Sequence, residues 1–287
     1  MFATLHSSGE QSPWRILYEG GPYGHPLLIS VVVTVKNEED NLRDLLDSLV
    51  TQDGPLEVLI VDAGSADRTC EIVEEYAKRY PFVRLLRKGG TRGEGRNAGV
   101  HAAAGEAIAF TDGDCIANPF WLKALRGRLK ESPIVAGKTI HIGYKPFEEL
   151  ERVELIYEGS DVTFPSCNLA YAKKAFEAVG GFDPWFVTAE DIDLNLRAVQ
   201  AGHPIAYAPD AIVYHRTRDS VYDFLRQAFW NGAGRKQLTS KHGALWSTYR
   251  PVELFRRQAT FWSMARLAVA LLGYIGYRFF GRLRVAS

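Results

Sequence analysis

The sequence predicts an α/β fold with a mostly parallel sheet, and three observations carry that expectation. Short β-branched runs alternate with helical periods between Ile29 and Thr111. Each run is continuous rather than alternating, as expected of strands covered on both faces. Polar, acid-rich clusters follow the runs, where an open α/β sheet places its ligands.

The elements follow in order. Residues 1–27 form an extension without an apolar h-region, and Gly20-Gly21-Pro22 and Pro26 read as loop, so no signal peptide is expected. Ile29–Val35 is seven residues of nearly unbroken β-branched sequence, a buried strand. Asn37-Glu38-Glu39-Asp40-Asn41 supplies acids suited to a helix start, and Leu42, Leu45, Leu46 and Leu49 then recur at helical spacing. Glu57–Val61 is a second strand, with a helix through Ile72, Val73 and Tyr76 behind it. Phe82–Leu86 and Ala107–Thr111 are the third and fourth strands. Strand-helix-strand repetition implies right-handed βαβ crossovers. After Gly137 the pattern is mixed, with short strands near 135–142 and 166–172, a helix from Glu190 to Ala201 stopped by Gly202, and a short strand Ala211–Tyr214.

Composition narrows the function classes. The 287 residues carry 34 basic and 34 acidic side chains, so no general affinity for nucleic acid is expected. Three widely spaced cysteines with no CxxC exclude a zinc ribbon or disulfide scaffold and point to a reducing, cytoplasmic-side location. No glycine cradle follows the first strand and no Walker lysine is present, which removes the ordinary dinucleotide and P-loop sites. Asp112-Gly113-Asp114 instead closes a buried strand with two carboxylates able to converge on Mg²⁺ or Mn²⁺, hard ions that keep places for substrate phosphates. Glu190-Asp191 opens a helix, either complementing its dipole or supplying a general base. His215 is either a partly buried histidine or a third metal ligand; Phe182 and Trp185 pack either in the core or beside an acceptor.

Six segments in order, Val33-Thr34-Val35-Lys36-Asn37-Glu38, Val61-Asp62-Ala63-Gly64-Ser65-Ala66-Asp67, Gly95-Arg96-Asn97-Ala98-Gly99, Asp112-Gly113-Asp114, Gly180-Gly181-Phe182-Asp183 and Ala189-Glu190-Asp191, resemble a family 2 glycosyltransferase of the Rossmann-like GT-A fold. The resemblance spans about residues 28–218. It implies that Asp62 contacts the nucleobase, with Thr34, Lys36, Glu38 and Ser65 lining the same pocket, and that Arg96 is a basic residue of the nucleotide pocket. It implies further that Asp112 and Asp114 bind the metal, that Asp191 beside Glu190 is the catalytic base, and that Ser166-Cys167-Asn168 closes around sugar and acceptor. One base facing a metal-neutralised leaving group gives a single displacement with inversion.

Residues 219–287 form a helical appendage with 11 Lys/Arg against 3 Asp/Glu, while residues 1–218 carry 23 against 31. Its start, Arg226 to Arg235, is similar to the region where cellulose-synthase-like members carry Gln-x-x-Arg-Trp, but no intact copy exists. Arg235 is the candidate for a similar diphosphate role and Trp230 for the acceptor site; the departure counts against processive synthesis. A helix over about 259–280 carries Arg266 within an apolar run and is flanked by Arg256, Arg257, Arg282 and Arg284. It is expected to span a membrane, to lie in its interface or to pack as a soluble helix. The expected function is transfer of one hexose from a nucleotide sugar, of the GDP-mannose or UDP-glucose class, to a lipid-linked acceptor such as a polyprenyl phosphate or a glycan on one. Rivals are a soluble enzyme with a small acceptor, a nucleotidyltransferase, and an inactive binding protein.

Overall fold

The computed structural model describes residues 26–148, 150, 153–217, 220–243 and 260–280. The expected N-terminal loop at residues 20–22 and the flanking Arg256, Arg257, Arg282 and Arg284 lie outside them. An eight-stranded sheet runs in the order β3-β2-β1-β4-β9-β6-β10-β5. Its left half is β1 (Ile29–Val35), β2 (Leu56–Asp62), β3 (Val83–Arg87) and β4 (Ala107–Asp112), all parallel. Its right half is mixed. β9 (Leu169–Ala172) is antiparallel to both β4 and β6 (Ile134–Ile142). β10 (Ile205–Arg216) is parallel to β6, and the edge strand β5 (Cys115–Ala117) is antiparallel to it. A separate hairpin joins β7 (Ile156–Tyr157) and β8 (Ser160–Asp161).

β1 shows why its sequence does not alternate. Val31, Val33 and Val35 face one apolar layer with α1 (Leu42–Val50), α2 (Thr69–Arg79) and α4 (Trp121–Leu129). Val32 faces the opposite layer with α3 (Arg92–Ala102), α6 (Lys173–Ala178) and α7 (Glu190–Gln200). Both faces are covered, so apolar residues follow one another without alternation; the buried Ser30 is satisfied by donating to Glu57 Oε1 at 2.5 Å. The short α5 (Lys145–Glu148) lies between β6 and the hairpin. The strand expected at Ala211–Tyr214 is the second part of the longer β10, whose register shifts between Ala208 and Ile212. The region expected as a strand from 166 begins instead with a 3₁₀ turn over Ser166–Asn168.

α3 approaches the sheet more closely than larger residues allow. A methyl at Gly99 would overlap Val32, and one at Gly95 would come within 2.9 Å of Thr34 Cγ2. Thr91 and Glu94 form a reciprocal capping box that fixes where this helix starts.

α8 (Val221–His242) and α9 (Phe261–Phe280) form a close pair. Small residues make the crossing possible: a methyl at Gly232 would overlap the Ala270 carbonyl, and one at Gly273 the Phe229 carbonyl. Phe147 stacks on Phe224 at 4.1 Å between centroids and meets Trp262 edge-on, tying the pair to α5. Among the described residues no helix is long and apolar enough to cross a membrane.

Gly232→Ala tests this crossing. In an exposed helix the exchange stabilises by about 1 kcal/mol. Here overpacking reverses the sign, with a loss of about 1–3 kcal/mol in urea unfolding; a stabilised variant would show that the helices do not meet as described.

Candidate active site

The carboxyl ends of β1, β2 and β4 are in register, with Thr34 opposite Asp112 and Val35 opposite Asp62. The two loops that follow β1 and β2 are laced together. Asn37 N–H donates to Ser65 Oγ at 2.9 Å and Glu38 N–H to Thr69 Oγ1 at 2.8 Å, while Asn37 Oδ1 accepts from Ala66 N–H at 2.8 Å. Asp62 is buried and accepts from the Gly64 and Ser65 backbone and the Ser65 hydroxyl. Asn37 and Gly64 turn at positive φ, 55° and 89°.

Beside this rim lies a cavity of about 960 Å³. Arg96, Asp112, Asp114, Ser166, Cys167, Glu190, Asp191, His215, Trp230 and Arg235 all line it. Thr34, Lys36, Glu38, Asp62 and Ser65 do not line it; they belong to the ends of β1 and β2 and the loops that follow. Asn168 is also absent from its wall, because its amide is engaged inside the sheet. Asn168 Oδ1 accepts the Trp121 indole N–H at 2.8 Å, and its Nδ2 donates to the Lys138 and Ala211 carbonyls.

Arg96 is fully buried and spans two elements. Its Nη2 donates to Asp112 Oδ1 at 2.9 Å and its Nη1 to Glu190 Oε1 at 2.7 Å. The guanidinium lies 5.3 Å from the Phe182 ring, which itself meets Phe110 and Phe176 in the core. Of the two alternatives open for Phe182, the structure takes core packing; Trp185 is half exposed. Burial opposes the charge on Arg96, but Asp112, Glu190 and Asp191 together hold it protonated.

α7 is capped by Ala189, a non-glycine residue in the left-handed region at φ 64°. Such a conformation costs about 1–3 kcal/mol and tends to occur at functional sites. It presents Glu190 and Asp191 in the first turn. Asp191 Oδ2 accepts Ser166 N–H at 3.2 Å and Oδ1 accepts Ile192 N–H at 2.9 Å. Burial and the neighbouring Glu190 raise the Asp191 pKa to about 6, against the opposing pull of Arg96 and the two backbone donors.

On the other side, β10 brings His215 between two partners: it registers with His141 on β6 and with Cys115 on β5. His215 Nε2 lies 3.2 Å from Asp114 Oδ1, and its Nδ1 3.4 Å from His141 Nδ1. Burial works against charge on His215, yet the Asp114 bond, with Cys167 and Asp112 nearby, pushes its pKa up to about 9. Ligand atoms of Asp114, Cys115 and His215 lie within 4.8 Å of one another. The 3.2 Å between carboxylate and imidazole suits two adjacent ligands of one divalent ion. The residues therefore fit a metal. His141 escaped the sequence reading, since only strand pairing places it beside His215.

The helical segment supplies a wall. Thr188 Oγ1 donates to the Trp230 carbonyl at 2.7 Å, and Gln237 bridges Val187 N–H and the Trp185 carbonyl. Arg226, Arg235 and Arg266 line the cavity from α8 and α9. Arg235 Nη2 lies 3.4 Å from the Val153 carbonyl.

The sequence matches Glycosyl transferase family 2 over residues 30–182 and Glycosyl transferase family group 2 over residues 156–283. This chain belongs to glycosyl transferase family 2. A relative in Haloferax volcanii, Glycosyltransferase AglE, is 29% identical over 226 residues, covering 73% of each protein. The Methanococcus voltae dolichyl N-acetyl-alpha-D-glucosaminyl phosphate 3-beta-D-2,3-diacetamido-2,3-dideoxy-beta-D-glucuronosyltransferase is 26% identical and matches over 74% of each. Other curated relatives are longer, and the chain spans 46% of two mycobacterial ones. The mannosyltransferase PcManGT of Pyrobaculum calidifontis, solved with GDP-Man and Mn²⁺, shares the fold with a TM-score of 0.63 at 20% identity, over 90% of this chain and 77% of that one. The fold is thus of the GT-A type, and the nucleotidyltransferase alternative falls.

Arg96→Met leaves Asp112 and Glu190 without their shared cation and should cost about 3–5 kcal/mol in urea unfolding at neutral pH. Arg96→Lys should recover only part, because a point charge does not span both carboxylates. Wild-type stability in R96M would remove the bridge from the argument.

Proposed function

We propose that this glycosyltransferase is a metal-dependent, inverting hexosyltransferase that moves one sugar from a nucleotide sugar, of the GDP-mannose or UDP-glucose class, to a lipid-linked acceptor at a membrane surface. The observation that carries the reading is the gathering of Asp112, Asp114, His215 and Asp191 around one cavity. Asp112, Asp114 and His215 would hold Mg²⁺ or Mn²⁺. Held there, the ion would supply Lewis-acid neutralisation of the diphosphate leaving group. The Mn²⁺ and GDP-Man of PcManGT support both the metal and the donor class.

Asp191 is the base. Above its raised pKa it is a carboxylate, able to take the proton of the acceptor hydroxyl as that oxygen attacks. Ser166 N–H fixes one of its oxygens, leaving the carboxylate oriented at the cavity wall. Glu190 is bonded to Arg96, which makes it unsuited to act as a second nucleophile; this supports a single displacement with inversion. Trp230, Ser166 and Cys167, which line the same cavity, are the acceptor-side residues, and Arg235 is assigned to the diphosphate.

The lipid-linked acceptor has two supports. The name of the Methanococcus relative contains a dolichyl phosphate sugar. In addition, α9 exposes Phe261, Met264, Leu271, Leu272, Ile275 and Phe279, and residues 219–287 are strongly basic. With no helix among the described residues long and apolar enough to span, this stripe favours a helix lying in the headgroup layer. Free Cys70, Cys115 and Cys167 are in keeping with the cytoplasmic side.

The test is incorporation of labelled mannose or glucose from the nucleotide sugar, with Mn²⁺ and membrane lipid extract. Label should enter the organic phase and stay out of it with EDTA. Asp191→Asn should keep donor binding and lose turnover by about 10²–10⁴-fold. Full transfer in chelator removes the metal role, wild-type turnover in D191N removes the base, and label confined to the aqueous phase removes the lipid acceptor.

The same base fixes the acid limb of the pH profile. Protonated Asp191 accepts nothing, so kcat/KM should be flat above its pKa of about 6 and fall about tenfold per pH unit below it. A profile flat down to pH 4.5 would exclude Asp191 as the titrating group.

A further inference from the structure

α9 carries two charges within Phe261–Phe280, Arg266 and Arg278, and the helix treats them differently. Arg278 is exposed on the apolar outer face. Arg266 lies on the cavity wall with Asp112, Asp114, His141 and His215. Burial lowers its pKa. His141 neighbours His215, which meets Asp114. Arg266 thus brings a cation from the C-terminal helix to the wall of the cavity that holds the proposed metal site.

A leucine or methionine here would continue the apolar run; Arg266 instead brings a guanidinium to the cavity wall. Arg216 from β10 and Arg226 and Arg235 from α8 line the same cavity, so with Arg266 cations from three elements share it with the carboxylates. A cavity with several cations suits a multiply charged phosphate, and a guanidinium can hold two of its oxygens at once.

We propose that Arg266 binds a substrate phosphate in the active site, either the diphosphate of the nucleotide sugar or the phosphate of a lipid-linked acceptor. The proposal rests on the reading of this cavity as the transfer site. It assigns to α9 a part in substrate binding besides its outer apolar face.

Calorimetric titration of the full chain with Mn²⁺ tests it, using GDP and UDP as donor probes, guanosine and uridine as phosphate-free controls, and farnesyl phosphate for the acceptor. Arg266→Met should bind the diphosphates at least tenfold more weakly with unchanged nucleoside affinity if the donor phosphate is the ligand. If the acceptor phosphate is the ligand, the loss should appear with farnesyl phosphate instead. Arg266→Lys keeps the charge without the fork and should show an intermediate loss; it carries the test should R266M not fold. Arg278→Gln is the control and should match the wild type for the nucleotides. Wild-type affinity of the Arg266 variants for all phosphate probes would overturn this inference while leaving the transfer site standing. A wild-type chain that binds neither GDP nor UDP would overturn the site reading and this inference with it.

Discussion

Arg96 is the side chain on which the geometry of the site depends. It stands on α3, reaches Asp112 at the end of β4 with one nitrogen, and reaches Glu190 at the start of α7 with another. The first acid belongs to the proposed metal pair and the second adjoins the proposed base. One buried cation thus fixes the distance between the two halves of the chemistry. A lysine has one charged nitrogen and no planar fork. The arrangement requires α3 to sit deep against the sheet, which is why Gly95 and Gly99 flank Arg96 one and three positions away: side chains there would strike Thr34 and Val32. The glycines act on the site through the depth of a helix, and the Phe182 ring closes the guanidinium from the other side.

A second charged cluster locks the C-terminal segment to the same helix. Asp193 is buried and bonded to Arg197 on α7 and to Lys241 and His242 at the end of α8. Burial alone would raise its pKa; the His242, Lys241 and Arg197 contacts outweigh it and hold it down at about 2. Lys241 also reaches Asp183 at 2.7 Å, and Arg197 donates to the Val179 and Gly181 carbonyls. α7 is therefore held by Arg96 at its first turn and by α8 beyond it. Gln237 and Thr188 fasten α8 to residues 185–188, immediately before the strained Ala189. The C-terminal segment and the base are consequently one mechanical unit, despite their separation in sequence.

What could be read in the sequence follows from which interactions are local. β1, α1, β2 and β4 carry their burial in their own periodicity, and their observed limits differ from the expected ones by a residue or so. Asp112-Gly113-Asp114 and Glu190-Asp191 were visible because acids at strand ends and helix starts are local patterns. The insertion of antiparallel β9 between β4 and β6 was not visible, since a four-residue buried strand carries no direction. The neighbours of His215 were hidden for the same reason: they are defined by pairing across strands. Asn168 fell within a recognisable motif, yet its amide serves Trp121 and two carbonyls. In the sequence Arg266 is conspicuous only as a charge within an apolar run. Its other meaning depends on α9 folding back over the cavity through Gly232 and Gly273.

That fold-back gives α9 two unlike faces. Arg266, Leu267, Ala270, Leu271 and Tyr274 line the cavity, while Phe261, Met264, Leu272, Ile275 and Phe279 are exposed. Leu271 belongs to both sets, so the apolar outer stripe runs continuously into the cavity wall. On the proposed reading, this continuity addresses the main physical difficulty of a lipid-linked acceptor, whose hydrocarbon tail and charged head require opposite environments. A helix lying in the headgroup layer keeps the tail among lipids along its outer face. The head group needs to move only around one helix to reach the arginines and Asp191. A spanning helix would place Arg266 within the hydrocarbon, where the same charge is costly; a helix at the interface places it beside the phosphates. The location of a single arginine thus links the membrane geometry to the chemistry of the cavity.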